Sequence, residues 1–597
     1  MSSVSPQTER VAPEGASAAP AAAAVTPERP ARAARPAAAE RPARRPRTAK
    51  GQGQWALGYR EPLNPNERMK KDDDGLNVRA RIENIYRHTG YDGVDPGDLR
   101  GRFRWWGLYT QRAPGIDGGR TAVLEPEELE DKYFMLRVRV DGGQLTTAAL
   151  RTIGEVSTTY ARDTADVTDR QNIQLHWIRI EDVPAIWDAV EGVGLSTAEA
   201  CGDVPRVILG SPVAGIAKDE IIDGTPAIEA IVERYIGSKE FSNLPRKFKT
   251  AITGSPRQDL LHEVHDLAFV GVVHPEHGPG FDVWVGGGLS TNPMLGQRLG
   301  VWVPLDEVPE VWAGVVGIFR DYGYRRLRNH ARLKFLMADW GAQKFREVLE
   351  SPKYLDRALV DGPAPEPYAG ARDHVGVHEQ NDGRFYVGIT PTVGRVSGTL
   401  LTRLADLVEA HGSQRVRLTA DQAIVVLDLE AERIDSFLAG LDELGLTATP
   451  STFKRNMMAC TGIEFCKLAI VETKARGIAL VDALETRLAD ELDSLPAISI
   501  NINGCPNACA RTQIADIGLK GMIVTGADGE QHEGFQVHLG GSLGLAPGFG
   551  KKLRGHKITG DELPDYVERV VRRFTEQRDG DEPFAQWVAR AEEAALR

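Results

Sequence analysis

Four of the five cysteines fall into two tight pairs. Cys460 and Cys466 lie in ACTGIEFCK with five residues between them, and Cys505 and Cys509 lie in NGCPNACA with three between them. The pairs are 38 residues apart. Four thiolates can ligate a [4Fe–4S] cluster, one sulfur to each iron. A zinc knuckle uses C-x2-C to C-x4-C spacing, which the first pair exceeds. A disulfide framework does not suit so long a chain with so few cysteines. Spacing alone leaves three readings: an iron–sulfur cluster, a zinc site, or buried apolar thiols.

The flanking residues add to this. C-T-G-x-x-x-C followed by N-G-C-P-N-x-C, in the last quarter of the 597-residue chain, resembles the cluster signature of the sirohaem-containing sulfite and nitrite reductases. The resemblance implies a [4Fe–4S] cluster coupled to sirohaem, with Cys460, Cys466, Cys505 and Cys509 as cluster ligands. It also implies that Cys509 ligates the sirohaem iron. Four cations are implied at the open face of the haem: Arg137 in FMLRVRV, Arg206 in CGDVPRV, and Lys247 and Lys249 in LPRKFKT. Positions i and i+2 share one face of an extended segment, which suits the lysine pair. Small oxyanions need such converging charge for capture and for proton delivery. Without the resemblance these four would read as solvated surface charges.

Sirohaem carries eight carboxylates, so its pocket must be cationic. Arg139, Arg170, Gln171, Gln174, Asn292 and Arg395 are the candidates to hold it, and RRLRNHARLK adds Arg325, Arg326, Arg328, Arg332 and Lys334. The run Gly286, Gly287 and Gly288 could bring backbone close to a flat ring, or be a turn. Cys201 is a small buried residue on its own terms. The resemblance adds a possible cross-link from Cys201 to Tyr109, which lies in FRWWGLYTQR. Neither a phosphate-binding loop nor a nicotinamide fingerprint is present. No flavin domain is appended, so the resemblance points to the ferredoxin-dependent branch. The second lysine, Lys249, points to sulfite; nitrite reduction is the alternative. GFGKKLRGHK, with Lys551, Lys552, Arg554 and Lys557, is the linear candidate for docking an acidic ferredoxin.

The elements that must position these residues are duplicated. Gly143, Thr168, Gln171 and Ile173 return as Gly394, Thr419, Gln422 and Ile424, and Gly254, Asp266 and Gly271 return as Gly504, Asp516 and Gly521. GFDVWVGGGLS from Gly280 returns as GFQVHLGGSLG from Gly534. Offsets near 250 residues held over such lengths mean a duplicated unit with pseudo-twofold symmetry. Each copy begins strand–helix–strand: YFMLRVRV, then a helix capped at Thr146 or Thr147, then DRQNIQLHWIRI; FYVGITPTVG, LLTRLADLVEAHG and QAIVVLDL repeat this. The expected fold class is α+β, with two ferredoxin-like half-domains and two larger α/β units that bind sirohaem. The expected boundaries are a tail at 1–50, a first half-domain with its N-terminal segment at 51–190, a substrate-side unit at 191–370, a second half-domain at 371–447 and a metal-ligating unit at 448–597.

Composition fits a globular protein at 42% hydrophobic and 26% charged residues. No apolar run reaches the ~20 residues of a membrane span, and the N-terminus shows no signal peptide. A cytoplasmic monomer bound to neither membrane nor nucleic acid is expected. Residues 1–50 are rich in Ala, Pro and Arg, carry nine Lys/Arg against four Glu, and read as a disordered, solvated leader. The formal net charge is −12, so the tail at +5 leaves −17 on the rest.

Overall fold

The computed structural model describes residues 63–368 and 370–597. The Ala/Pro/Arg-rich tail lies outside the described residues. Four sheets organise the described chain.

The first runs in the order Leu108–Arg112, Glu130–Val138, Ile173–Ile178, Ala165–Val167, Arg395–Val396. The second runs Gly376–Glu379, Phe385–Ile389, Ile424–Leu429, Arg415–Leu418, Gln144–Thr146. Each sheet therefore takes its last strand from the other copy. Arg395 and Val396 pair antiparallel with Asp166 and Ala165, and Leu145 and Thr146 pair antiparallel with Val416 and Arg415. The half-domains are strand-exchanged, a feature the repeat pattern alone did not reveal.

The helices behind these sheets are Thr147–Tyr160 and Gly398–Ala410. Each starts on a hydroxyl cap, as the sequence signals: Thr146 Oγ1 accepts from the Ala149 N–H at 3.0 Å and Ser397 Oγ from Leu400 at 3.0 Å. Leu150, Ile153, Leu401 and Leu404 bury their apolar faces in one shared core. Gly143 and Gly394 both adopt left-handed φ, 70° and 68°. A Cβ at Gly143 would lie 2.4 Å from the Leu418 carbonyl, and one at Gly394 2.5 Å from that of Val167, so both copies need glycine at this turn.

The glutamines repeat the symmetry. Gln171 Nε2 donates to the carbonyls of Gly210 (2.8 Å) and Leu418 (2.9 Å), and its Oε1 accepts from Gly210 N–H (3.0 Å). Gln422 Nε2 donates to Val167 (3.3 Å) and Ala459 (3.0 Å), and its Oε1 accepts from Ala459 N–H (3.3 Å). Each amide stitches its own copy to a strand end of the other.

The larger units share a second plan. One sheet runs Pro205–Gly210, Phe248–Thr253, Leu267–His274, Gly278–Val285, Gln297–Val303, Val360–Asp361. The other runs Met457–Ala459, Ile500–Asn503, Ile517–Thr525, Gln531–Leu539, Lys551–Thr559. In each, the first three strands are parallel and the next pair antiparallel. Helices Val308–Tyr322 and Leu333–Leu349 cover the first, around buried Trp312 and Phe319; Lys474–Arg487 and Leu563–Gln577 cover the second, around Tyr566 and Phe574.

Candidate active site

Met457–Ala459 and Ile500–Asn503 are adjacent parallel strands, with Ala459 opposite Ile502. Their C-terminal ends therefore release the two cysteine loops side by side. Cys460 N–H donates to the Ile502 carbonyl (3.1 Å), Gly504 N–H to Cys460 Sγ (3.2 Å) and Ile470 N–H to the Gly504 carbonyl (2.7 Å). Asn503 Oδ1 accepts from Ala510 N–H (2.7 Å), folding the NGCPNAC loop back on its strand.

All five cysteines are free. Burial pushes the Cys460 thiol up to about 12, and Cys509 and Cys466 add to that; burial and Cys509 also raise Cys505. Cys466 is raised too, by burial first. The four sulfurs thus sense one another, yet among the described residues no three Cys, His, Asp or Glu side chains close on a point that one metal ion could fill. Cys509 is exposed, which sets it apart from an incidental buried thiol. Four sulfur donors with no disulfide fit the donor set of a [4Fe–4S] cluster.

Cations also gather within electrostatic reach of Cys509. Arg137 stands on the strand Glu130–Val138, Arg206 on Pro205–Gly210, and Lys247 and Lys249 at the start of Phe248–Thr253. Burial depresses Lys249 to about 7, with Arg170 and Arg332 pushing the same way and Asp169 and Cys509 opposing. Lys247 falls well below the usual lysine range through burial, then Lys249, Arg332 and Arg246. Neither ammonium has a hydrogen bond or ion pair among the described residues. Arg137 gives one bond, to Gln174 Oε1 at 2.7 Å, and its buried Nε has no partner. Burial opposes its charge, but Cys201, Tyr109, Asp169 and Cys509 together raise its pKa. Crowded, underpaired cations are unfavourable unless an anion joins them. The cleft therefore fits a polycarboxylate cofactor and an oxyanion.

Arg206 belongs to the same group, since it acts on both Tyr109 and Arg170. Its guanidinium is anchored on its own loop, donating to the carbonyls of Gly202 (2.8 and 3.0 Å) and Ala200 (3.2 Å). Arg170 is buried, donates to Val207 O (2.6 Å) and to His265 Nε2 (2.9 Å), and is lowered to about 9 by burial. Gln174 joins the two halves of the site: its Nε2 donates to Thr461 Oγ1 (3.1 Å), next to Cys460. Tyr109 and fully buried Cys201 are neighbours, with burial and then Cys201 raising the phenol.

Three of the expected cofactor contacts, Gln171, Arg139 and Arg395, also have partners within the protein. Gln171 has both amide hydrogens engaged in the brace between copies and none left for a carboxylate. Arg139 is ion-paired to Asp141 (2.6 Å) and donates to the carbonyls of Pro205 (3.3 Å) and Arg206 (3.4 Å), so it supports the loop that presents Cys201 and Arg206. Arg395 is held between Asp166 (2.9 Å) and Glu464 (2.7 Å). Asn292 is exposed, with its backbone carbonyl on Lys334 Nζ. The glycine run packs on protein: a Cβ at Gly286 would meet Met337 at 2.4 Å and one at Gly287 the Glu263 carbonyl at 2.4 Å. Arg325 pairs with Glu67 (3.1 Å) and donates to Asn243 Oδ1 (2.9 Å).

Asp169, Arg246, Arg332 and Arg511 also act on the cleft residues. Arg246 precedes Lys247 and Arg511 follows Cys509 by two positions, so adjacency was the available signal. Lys551, Lys552, Arg554 and Lys557 are all exposed, on the edge strand Lys551–Thr559. Edge lysines also discourage strand addition by another chain, which is the structural reading of the same patch.

Family models agree with this duplicated arrangement. The nitrite and sulphite reductase 4Fe-4S domain matches residues 201–356 and 451–597, and the nitrite/sulfite reductase ferredoxin-like half domain matches 127–193 and 378–444. The chain belongs to the nitrite and sulphite reductase family. Within that family it is 61% identical to a sulfite reductase (ferredoxin) of Mycobacterium tuberculosis over 554 residues, covering 93% of this chain and 99% of the relative. An assimilatory ferredoxin-dependent nitrite reductase of Haloferax mediterranei is 35% identical, covering 87% and 91%. The solved structure of the Mycobacterium tuberculosis NirA protein superposes with a TM-score of 0.89 at 61% identity, covering 92% of this chain and all of that one. No helix among the described residues is long and apolar enough to cross a membrane.

Proposed function

We propose that this family member catalyses the six-electron reduction of sulfite to sulfide, at a sirohaem coupled to a [4Fe–4S] cluster, with reduced ferredoxin as donor. One observation carries the reading: Cys509 lies within electrostatic reach both of the other three paired cysteines and of Arg137, Lys247 and Lys249. The 61% identity to a protein named for this activity supports it.

When bound, the two cofactors supply the electron transfer that no side chain here could perform. The chain supplies the rest. Cys460, Cys466, Cys505 and Cys509 would hold the cluster, and Cys509 would also serve the sirohaem. Arg137, Arg206, Lys247 and Lys249 bind and orient the oxyanion. Lys249, depressed to about 7 without the anions, would be held protonated at its Nζ once they bind and so be placed to give a proton to the oxyanion. Gln174 holds the Arg137 guanidinium toward the cleft. Tyr109 and Cys201 flank it and are the pair for a thioether. Ferredoxin docks on the face of Lys551, Lys552, Arg554 and Lys557, and the enzyme works as a cytoplasmic monomer.

Visible absorption of the purified protein, measured beside turnover of sulfite and of nitrite, tests this. Sirohaem bands with the higher kcat/KM for sulfite are expected. Bands with nitrite strongly preferred would make it a nitrite reductase, and absence of the bands would overturn the reading. Lys249→Asn should lower the sulfite-to-nitrite ratio of kcat/KM.

A further inference from the structure

Arg112 ends the strand Leu108–Arg112, three residues beyond Tyr109. Its side chain is among the largest that are fully buried, with the residue 1% exposed. Among the described residues it forms no ion pair. Its guanidinium donates instead to the carbonyls of Ile116 (3.0 Å), Asp117 (3.2 Å), Ala469 (3.3 Å) and Lys467 (3.5 Å) and to Thr121 Oγ1 (3.1 Å). Its Nε–H is buried without a partner. Its backbone N–H donates to the Phe465 carbonyl at 2.9 Å, and Thr121 Oγ1 donates to that of Ala469 at 2.8 Å.

Three of those acceptors, on Phe465, Lys467 and Ala469, bracket Cys466. The first copy thus reaches across to grip a cysteine loop of the second. Burial works against the Arg112 charge, and Cys466 is the strongest group supporting it, ahead of Asp117 and Glu533. Carbonyl groups alone could be satisfied by a neutral amide. An unpaired buried guanidinium is costly unless a negative charge stands close by. A cluster ligated by four thiolates is such a charge, and it becomes more negative with each electron it accepts. Net charge and hydrogen bonding around the sulfurs are what tune these centres.

We propose that Arg112 is a positioning residue for the Cys466 loop and the fixed positive charge that raises the reduction potential of the cluster held there. This rests on the four cysteines being its ligands. A cation stabilises the reduced form more than the oxidised form, so removing it lowers the potential. A ferredoxin then loads the cluster less readily.

The test is a potentiometric titration of the cluster in the holoenzyme, followed by electron paramagnetic resonance, with iron content measured in parallel. Arg112→Gln keeps polar reach but loses the charge, and its potential should shift to more negative values at full iron content. Arg112→Lys keeps the charge and should remain near the wild-type potential. A fully loaded Arg112→Gln at the wild-type potential would overturn the proposal. So would Arg112→Lys shifting as far as Arg112→Gln, since geometry and not charge would then be the cause. If Arg112→Gln does not retain iron, Arg112→Lys decides: a wild-type potential at full iron content supports the proposal, and a shifted one sinks it. A wild-type protein lacking iron would instead refute the cysteine assignment.

Discussion

The strands Phe248–Thr253 and Ile500–Asn503 hold the same place in the two copies, but the loops after them end in opposite chemical states. At an offset of 250 residues, Gly210, Ile216, Ser255 and Asp259 stand where Cys460, Cys466, Cys505 and Cys509 stand. In the first copy the Asp259 carboxylate accepts from Ser211 Oγ (2.7 Å), Thr253 Oγ1 (2.8 Å) and His374 Nε2 (2.8 Å), all buried. That loop is closed on itself. In the second copy the Cys460, Cys466 and Cys505 sulfurs meet backbone N–H groups, such as that of Gly504 on Cys460, and among the described residues no side chain of opposite charge is ion-paired to them. One scaffold thus yields a self-satisfied polar core in one place and an open set of donors in the other. A buried group that already has its partners gains nothing from a ligand, whereas one without them does.

The sharpest way to break this contrast is Cys509→Ser. It should abolish sulfite reduction and lower both sirohaem and cluster content, because one sulfur serves both. Full content of both would remove the bridging role. The mirror experiment is Asp259→Ala, which should leave both cofactors in place and destabilise the fold by about 3–5 kcal/mol, read as a lower denaturation midpoint. Burial tends to raise the Asp259 carboxyl, but the bond and charge of His374, with Ser211 and Thr253, hold it below its usual range. A depressed carboxylate stabilises fully above the unfolded value near ~3.9, and that contribution is lost as pH falls through the folded value. Loss of cofactor with unchanged stability in Asp259→Ala would dissolve the division between the copies.

Lys247→Ala should reduce kcat/KM for sulfite about tenfold or more at unchanged cofactor content, the scale of one charge-assisted contact. With Lys249 depressed to about 7, the empty cleft binds polyanions less well as pH rises through that value. Reloading apoprotein with sirohaem should therefore take up protons near neutral pH, measurable by calorimetry in buffers of different ionisation enthalpy. Lys249→Arg should reduce that uptake. Smallest is the charge reversal of Lys551 and Lys552 to Glu. It should raise the KM for ferredoxin, most visibly at low salt, and spare a small uncharged reductant. Equal loss with both donors would assign the patch to the cofactor pocket.

Much of this was legible in the sequence. The cysteine spacing, the constant offsets and the Thr146 cap are local patterns, and local patterns survive without coordinates; the lysine pair needed the family resemblance. Strand exchange was not legible, because Arg395–Val396 has the same composition whichever sheet it joins. Nor did sequence show that Gln171, Arg139 and Arg395 have more partners within the protein than Arg137 does. All are polar residues in apt motifs, and only tertiary placement shows whose hydrogens are already engaged. Arg112 carried no signal, since the acceptors that tie it to the Cys466 loop are backbone carbonyls some 350 residues away.

The exchanged strands also bear on synthesis. As the chain leaves the ribosome, Ala165–Val167 is a bare sheet edge until Arg395 and Val396 emerge, and Gln144–Thr146 waits for Arg415–Leu418. Unpaired edges on a half-finished sheet invite the wrong neighbour. For some 230 residues of translation the first half-domain therefore lacks the strand that closes its sheet edge. A gene cut between the copies would yield two fragments, each lacking a strand that only the other can donate.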